Sequence, residues 1–175
     1  MSEYIYKNEV EYLSFKKRTW EKTYLLVYIM GFQALVVLTI AIVFQVYPLL
    51  FALFIVALGL GVNYYIFQKR MRYFLQGIRV TQNYLVHLDL YFKDENQRIQ
   101  LPIHQFQIRF VRTGGKGRYI KLSFYDHQRL LGFQYDSKQW NHDNLVEVFT
   151  QIKEIKNEPL TKQEERMLKK GNLFF

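Results

Sequence analysis

A window of 46 residues, 23 through 68, contains no Asp, Glu, Lys or Arg. Charge crowds both of its borders: Lys16, Lys17, Arg18 and Lys22 precede it, and Lys69, Arg70 and Arg72 follow it. A bilayer imposes such segregation, because a charged side chain at mid-membrane costs about 2.5 kcal/mol or more on insertion scales. One crossing takes about 20 residues at a rise of about 1.5 Å each, so the window is too long for one span and suits two. Val46-Tyr47-Pro48 is the natural break, since proline is tolerated at the first turn of a helix.

The sequence therefore predicts an N-terminal segment 1–23 and a transmembrane helical hairpin over 24–68, with spans near 24–45 and 48–67. A secretory signal has a shorter apolar region that starts sooner. The competing reading is a pair of buried helices in a soluble protein. Cations flank the hairpin at its two outer ends and the connecting turn has none, so the positive-inside rule places both termini in the cytoplasm. Trp20, Tyr24 and Tyr28 at one end, with Tyr64, Tyr65 and Phe67 at the other, suit the aromatic belt of that interface.

Within the spans Gln33, Thr39 and Gln45 are the polar exceptions of the first helix, and no ionisable side chain lies at depth. A proton relay or ion path would need one, so the hairpin reads as an anchor. Ala57 and Gly61 form a small-xxx-small pair that lets helices approach closely. The pair either faces a partner or seats the second helix against the first.

Beyond Gly77 the apolar period changes from helical to alternating. Val86, Leu88, Leu90 and Phe92 share one face; Ile99, Leu101 and Ile103 repeat the pattern. Phe106, Ile108 and Phe110 follow, then Ile120, Leu122 and Phe124, then Leu131, Phe133 and Tyr135. Each run reads as a half-buried antiparallel strand between turn-forming clusters. Trp140, Leu145, Val146, Phe149, Ile152 and Ile155 then recur at helical spacing, with Asp136 or Ser137 as possible caps. The expectation is an α+β membrane protein: a transmembrane hairpin, then a small antiparallel β-barrel or sandwich over 78–158, closed by a C-terminal helix. A tail over 159–175 carries a capping box, Thr161 with Glu164.

A tyrosine-rich start (Tyr4, Tyr6, Tyr12, Phe15), a transmembrane hairpin and an Ile78-Arg79-Val80-Thr81 opening resemble the YcxB-like and related bacterial pleckstrin-homology (PH) membrane proteins. Leu101-Pro102-Ile103 and the helix Trp140, Leu145, Phe149, Ile152 add to the resemblance, which covers most of residues 1–157. It implies a PH-like domain on a bacterial inner (cytoplasmic) membrane, and a role as an assembly factor or accessory subunit. It implies no agreed biochemical activity.

The sharpest local feature is Arg112-Thr113-Gly114-Gly115-Lys116-Gly117-Arg118. Glycines let backbone N–H groups converge, and Arg112, Lys116 and Arg118 flank Gly114 and Gly115, so an anion such as a lipid headgroup could be held there. The bland alternative is a mobile hairpin loop with solvated charges. The cations Lys16, Lys17, Arg18, Lys69, Arg70 and Arg72 serve topology and would also attract anionic lipid, at about 1 kcal/mol each near the surface. The last residues, Leu173, Phe174 and Phe175, leave an apolar end that packs back on the domain, docks into a partner or lies among headgroups.

No catalytic constellation is present. The four histidines, His87, His104, His127 and His142, lack metal-ligand spacing, and there is no cysteine to serve as nucleophile or thiolate ligand. The net charge of +9 is dispersed: residues 1–77 hold 8 basic and 4 acidic side chains, 78–158 hold 12 and 9, and 159–175 hold 4 and 2. A nucleic-acid binder concentrates its charge on one stripe. The expectation is a non-enzymatic membrane-anchored scaffold or accessory subunit with no cofactor and no small-molecule substrate. Its partners would be membrane lipid and other membrane-protein subunits or a second copy; the alternative is a module that senses anionic headgroups.

Overall fold

The structure is a computed structural model that describes residues 2–7, 12–46, 48, 50–113 and 119–168. The chain divides into two compact units, Leu13–Arg72 on one side and Met1–Tyr12 with Tyr73–Phe175 on the other. The helical unit is thus inserted within the β unit, not placed ahead of it.

In the helical unit α1 runs over Phe15–Val43 and α2 over Leu50–Met71. The Ser14 hydroxyl caps α1 by accepting from the Lys17 amide. The two helices pack along a seam whose half-buried or buried positions on α1 are Thr19, Thr23, Leu26, Met30, Ala34, Val37 and Ala41. The steps of three and four residues repeat every eleven (19, 30, 41), a stripe along one side of the helix. Both helices are long and apolar enough to cross a membrane. Their outward sides stay apolar too, with Phe32 at 70% and Phe51 at 67% exposure, which the core helix of a soluble protein would bury.

The β unit has a four-stranded sheet in the order β1 (Ser2–Lys7), β2 (Tyr73–Thr81), β3 (Leu85–Phe92), β4 (Glu95–Pro102). A three-stranded sheet follows: β5 (Phe106–Thr113), β6 (Tyr119–Asp126), β7 (Arg129–Tyr135). Every pairing is antiparallel. The alternation in the sequence is the burial pattern: Val86, Leu88 and Leu90 of β3, Phe106, Ile108 and Phe110 of β5, and Leu122 and Phe124 of β6 all point into one core. Helix α3 (His142–Ile155) buries Leu145, Val148, Phe149 and Ile152 in it.

Three expectations change. The N-terminal segment supplies a strand: β1 pairs Lys7 with Gly77 and Ser2 with Thr81. The domain correspondingly begins at Tyr73, not at residue 78. The helix α3 is capped by Asn141, whose side chain accepts from the Asn144 amide at 2.8 Å. Asp136 instead accepts from the Ile120 amide, and Ser137 from that of Trp140, holding the turn that sends Trp140 into the core.

Of the two forms expected, barrel and sandwich, the closed barrel is not formed: the strands lie in two separate sheets. A barrel needs a continuous backbone ladder, and among the described residues β4 does not pair with β5, nor β2 with β7. A bulge between Leu75 and Gly77 turns β2. The Leu75 amide donates to the buried Gln134 side chain at 2.8 Å, and its carbonyl accepts from the Trp140 indole at 2.9 Å. Two side chains thus satisfy a peptide that a neighbouring strand would otherwise pair. The sheets approach closely at Gly132, where a Cβ would sit 3.0 Å from the Tyr73 ring and 3.1 Å from Leu90.

Candidate functional site

The residues singled out in the sequence fall into three places: the helical hairpin, the β5–β6 loop and the C-terminal tail. On the hairpin, Lys16, Lys17 and Lys69 are exposed, while Arg70 and Arg72 are half-buried. Lys69 lies over the Tyr65 ring at 4.8 Å and Arg70 over Phe67 at 5.7 Å, so cation and belt aromatic share one helix face. Arg18 departs from the set: it is buried, with its guanidinium donating to the Leu13 carbonyl. Its place is structural, at the start of α1.

Ala57 and Gly61 are exposed and face away from α1, and a Cβ built at Gly61 would meet nothing within 4 Å. The glycine that meets α1 is Gly59, where a Cβ would contact the Met30 methyl at 3.5 Å. Seating the helices against each other is therefore the work of Gly59, and the outward pair is left for what lies outside the hairpin. Asn63, another polar side chain of α2, turns back on its own helix and donates to the Gly59 carbonyl at 2.8 Å.

Of the β5–β6 loop, Gly114, Gly115, Lys116 and Arg118 lie outside the described residues. Arg112 is described. Its Nε and Nη2 both donate to the Met167 carbonyl, at 3.1 and 2.7 Å. A ring nitrogen of His142 stands 3.1 Å from the Leu168 carbonyl. These two carbonyls end helix α4 (Lys162–Leu168), where backbone acceptors lack helical partners and cations are favoured. Arg112 thus has a structural use, holding the tail helix against β5.

The other end of α4 is held by charge. Thr161 and Glu164 form the expected reciprocal cap, amide to carboxylate at 2.8 Å and amide to hydroxyl at 3.2 Å. Lys153 of α3, only 13% exposed, bridges Glu158 and Glu164 at 3.2 Å each. Lys156 pairs with Glu158 and also donates to the Phe106 carbonyl at 2.9 Å. Burial works against all three bridged charges, yet the hydrogen bonds and opposite charges outweigh it. The Lys153 ammonium is held above the usual lysine range, and the Glu158 and Glu164 carboxyls below the usual carboxylate range. Leu173, Phe174 and Phe175 lie beyond the described residues.

Sequence periodicity carries no sign of this strap, because its partners belong to different elements: Arg112 and Met167 are 55 residues apart, and Lys153 and Glu164 lie on separate helices. Nor did it single out Gln134 or the junction made by Tyr12. That ring stacks on Tyr91 at 4.0 Å, and its hydroxyl reaches Asp94 Oδ1 at 2.6 Å, pinning the chain before α1 to the β3–β4 turn. Among the described residues no group of three or more His, Asp or Glu could hold a metal ion. Compared with protein-family models, curated proteins and solved structures, the chain matches none.

Proposed function

We propose that this chain is a non-enzymatic, membrane-anchored scaffold or accessory subunit. Its hairpin crosses the bilayer twice, and its β unit, on the cytoplasmic side of a bacterial inner membrane, binds another protein. One observation supports the anchor most. The strands that flank the hairpin, β1 and β2, pair with each other, residue 7 with 77 and residue 2 with 81. Paired strands must share a compartment, so a hairpin between them crosses an even number of times. That geometry agrees with the placement of the cations at its two ends.

The order of strands, four in one sheet and three in the next with a helix on the core, supports reading the β unit as PH-like. On that reading the hairpin is an insertion after the first strand. Binding, not catalysis, is favoured by histidines that are spread over the fold and by acids engaged in ion pairs and caps. The exposed Lys16, Lys17 and Lys69 favour a second role, contact with anionic headgroups.

Reporter fusions at the two ends test the anchor; signals from opposite compartments, or release of the chain by alkaline carbonate, would refute it. Purification in mild detergent with mass spectrometry tests the scaffold, and a chain that always runs alone as a monomer sinks that role.

A further inference from the structure

Three polar side chains near the middle of the two apolar helices are not equivalent. Thr39 Oγ1 donates to the Leu35 carbonyl at 2.9 Å, and Asn63 Nδ2 to the Gly59 carbonyl at 2.8 Å. Gln33 is exposed and forms no hydrogen bond with any described residue. It stands nine residues beyond Tyr24. By helical rise that is about 14 Å into a hydrocarbon layer about 30 Å thick. Thr39 and Asn63 each place a donor on a carbonyl of their own helix; Gln33 presents a carboxamide with no such contact at mid-depth, where lipid offers neither donor nor acceptor.

We propose that Gln33 is the docking point for a second copy of this chain, with two α1 helices side by side and carboxamide bonded to carboxamide. The inference rests on the membrane-spanning reading above. A carboxamide is donor and acceptor at once, so its best complement is another carboxamide. Every copy inserts with the same orientation, which sets each Gln33 at one depth. A two-fold axis along the membrane normal then brings this face onto itself. The seam with α2, through Met30, Ala34, Val37 and Ala41, passes beside Gln33 and leaves its side chain outside. The rest of that side is Ile29, Val36 and Ile40, at 50%, 38% and 41% exposure, an apolar strip that a second helix covers. Interhelical amide bonds of this kind hold helices together in lipid.

The chain has no cysteine, so one introduced thiol reports on one face. Ile40→Cys shares the Gln33 side of α1, and Leu35→Cys lies on the opposite side. Oxidative cross-linking of the full chain in native membranes is expected to give a two-chain product from Ile40→Cys and about five-fold less from Leu35→Cys. Adding Gln33→Leu to Ile40→Cys lowers the yield about five-fold, and Gln33→Asn, which keeps the amide, retains most of it. Equal yields from the two faces, indifference to Gln33→Leu, or a cross-link to a different protein overturns the proposal. Carbonate extraction of the same membranes separates the two ideas. A retained chain without Gln33 dependence removes only the dimer, whereas a released chain removes the spanning hairpin as well.

Discussion

In the β unit the largest side chains are hidden: Trp140, Phe106, Phe124 and Phe149 have no exposure at all. In the helical unit the order is reversed. Phe32, Leu35, Phe51 and Phe54 are all more than 60% exposed, while two threonines, Thr19 and Thr23, are buried with their hydroxyls bonded one turn back. One chain thus follows two sets of solvent rules. The difference shows that apolar content alone fixes no core, and on the membrane-anchored reading proposed above each face is matched to the medium it meets.

The comparison breaks first at Trp140. Trp140→Ala is expected to destabilise the full chain in detergent by about 4 kcal/mol, because it empties a buried site and orphans the Leu75 carbonyl. Trp140→Phe keeps most of the volume and loses mainly the bond, for about 1–2 kcal/mol. Chemical denaturation followed by fluorescence of the tyrosines and Trp20 measures both. A neutral Trp140→Ala would mean that the junction of the two sheets bears no load.

A matched pair sharpens the contrast between media. Leu35 is 64% exposed and Tyr84, in the β2–β3 turn, is also 64% exposed. In water the two sites are equivalent, and Lys at Tyr84 should change stability by no more than about 0.5 kcal/mol. In lipid they are not: Leu35→Lys should cost about 3 kcal/mol of insertion and shift the chain from the membrane to the soluble or degraded fraction. Equal tolerance at both positions would erase the distinction between the units.

The smallest effect belongs to the strap on α4. Glu164→Gln keeps the reciprocal cap with Thr161 and removes the charge facing Lys153, so about 0.5 kcal/mol or less is lost. Faster amide exchange confined to residues 162–168 is the expected sign. The pH dependence has two limbs. Glu158 and Glu164 have folded pKa values below their unfolded ones, so their contribution is present above about pH 4.5 and is lost as pH falls through the folded values. Lys153 is raised, so its contribution is complete below about pH 10.5 and is lost as pH rises through the folded value. Exchange of α4 should therefore be slowest between those limits; a flat profile would dismiss the charge tether.

The parts of this fold that were legible in the sequence depend on neighbours along the chain. Fourteen residues of α3 carry their own apolar stripe, strands β3 to β7 alternate within themselves, and the hairpin declares itself by missing charge. What stayed hidden depends on partners far away. Ser2–Lys7 has no core pattern of its own and becomes a strand through residues seventy positions on. The division into two sheets, with Gln134 and Trp140 side chains meeting the Leu75 peptide at their junction, is nothing a period reveals either. Likewise the spacing of Ala57 and Gly61 was visible but not the direction they face, since the helix seam selects Gly59 by rotation about the axis. Arg112 looked available beside its glycines because Met167 lies 55 residues away.

The position of β1 has a consequence for synthesis. Lys7 leaves the ribosome long before its mate, Gly77, is made. At about 5–20 residues per second the wait for those seventy residues is about 4–14 s, during which the first edge of the sheet has nothing to hold. The whole hairpin is translated within that interval, so the β unit cannot knit together until the apolar stretch has emerged and found its surroundings. Completion of the sheet is thereby a clock set by the helices, and a nascent chain stalled between residues 12 and 73 would display an unmated strand to whatever chaperone surveys it.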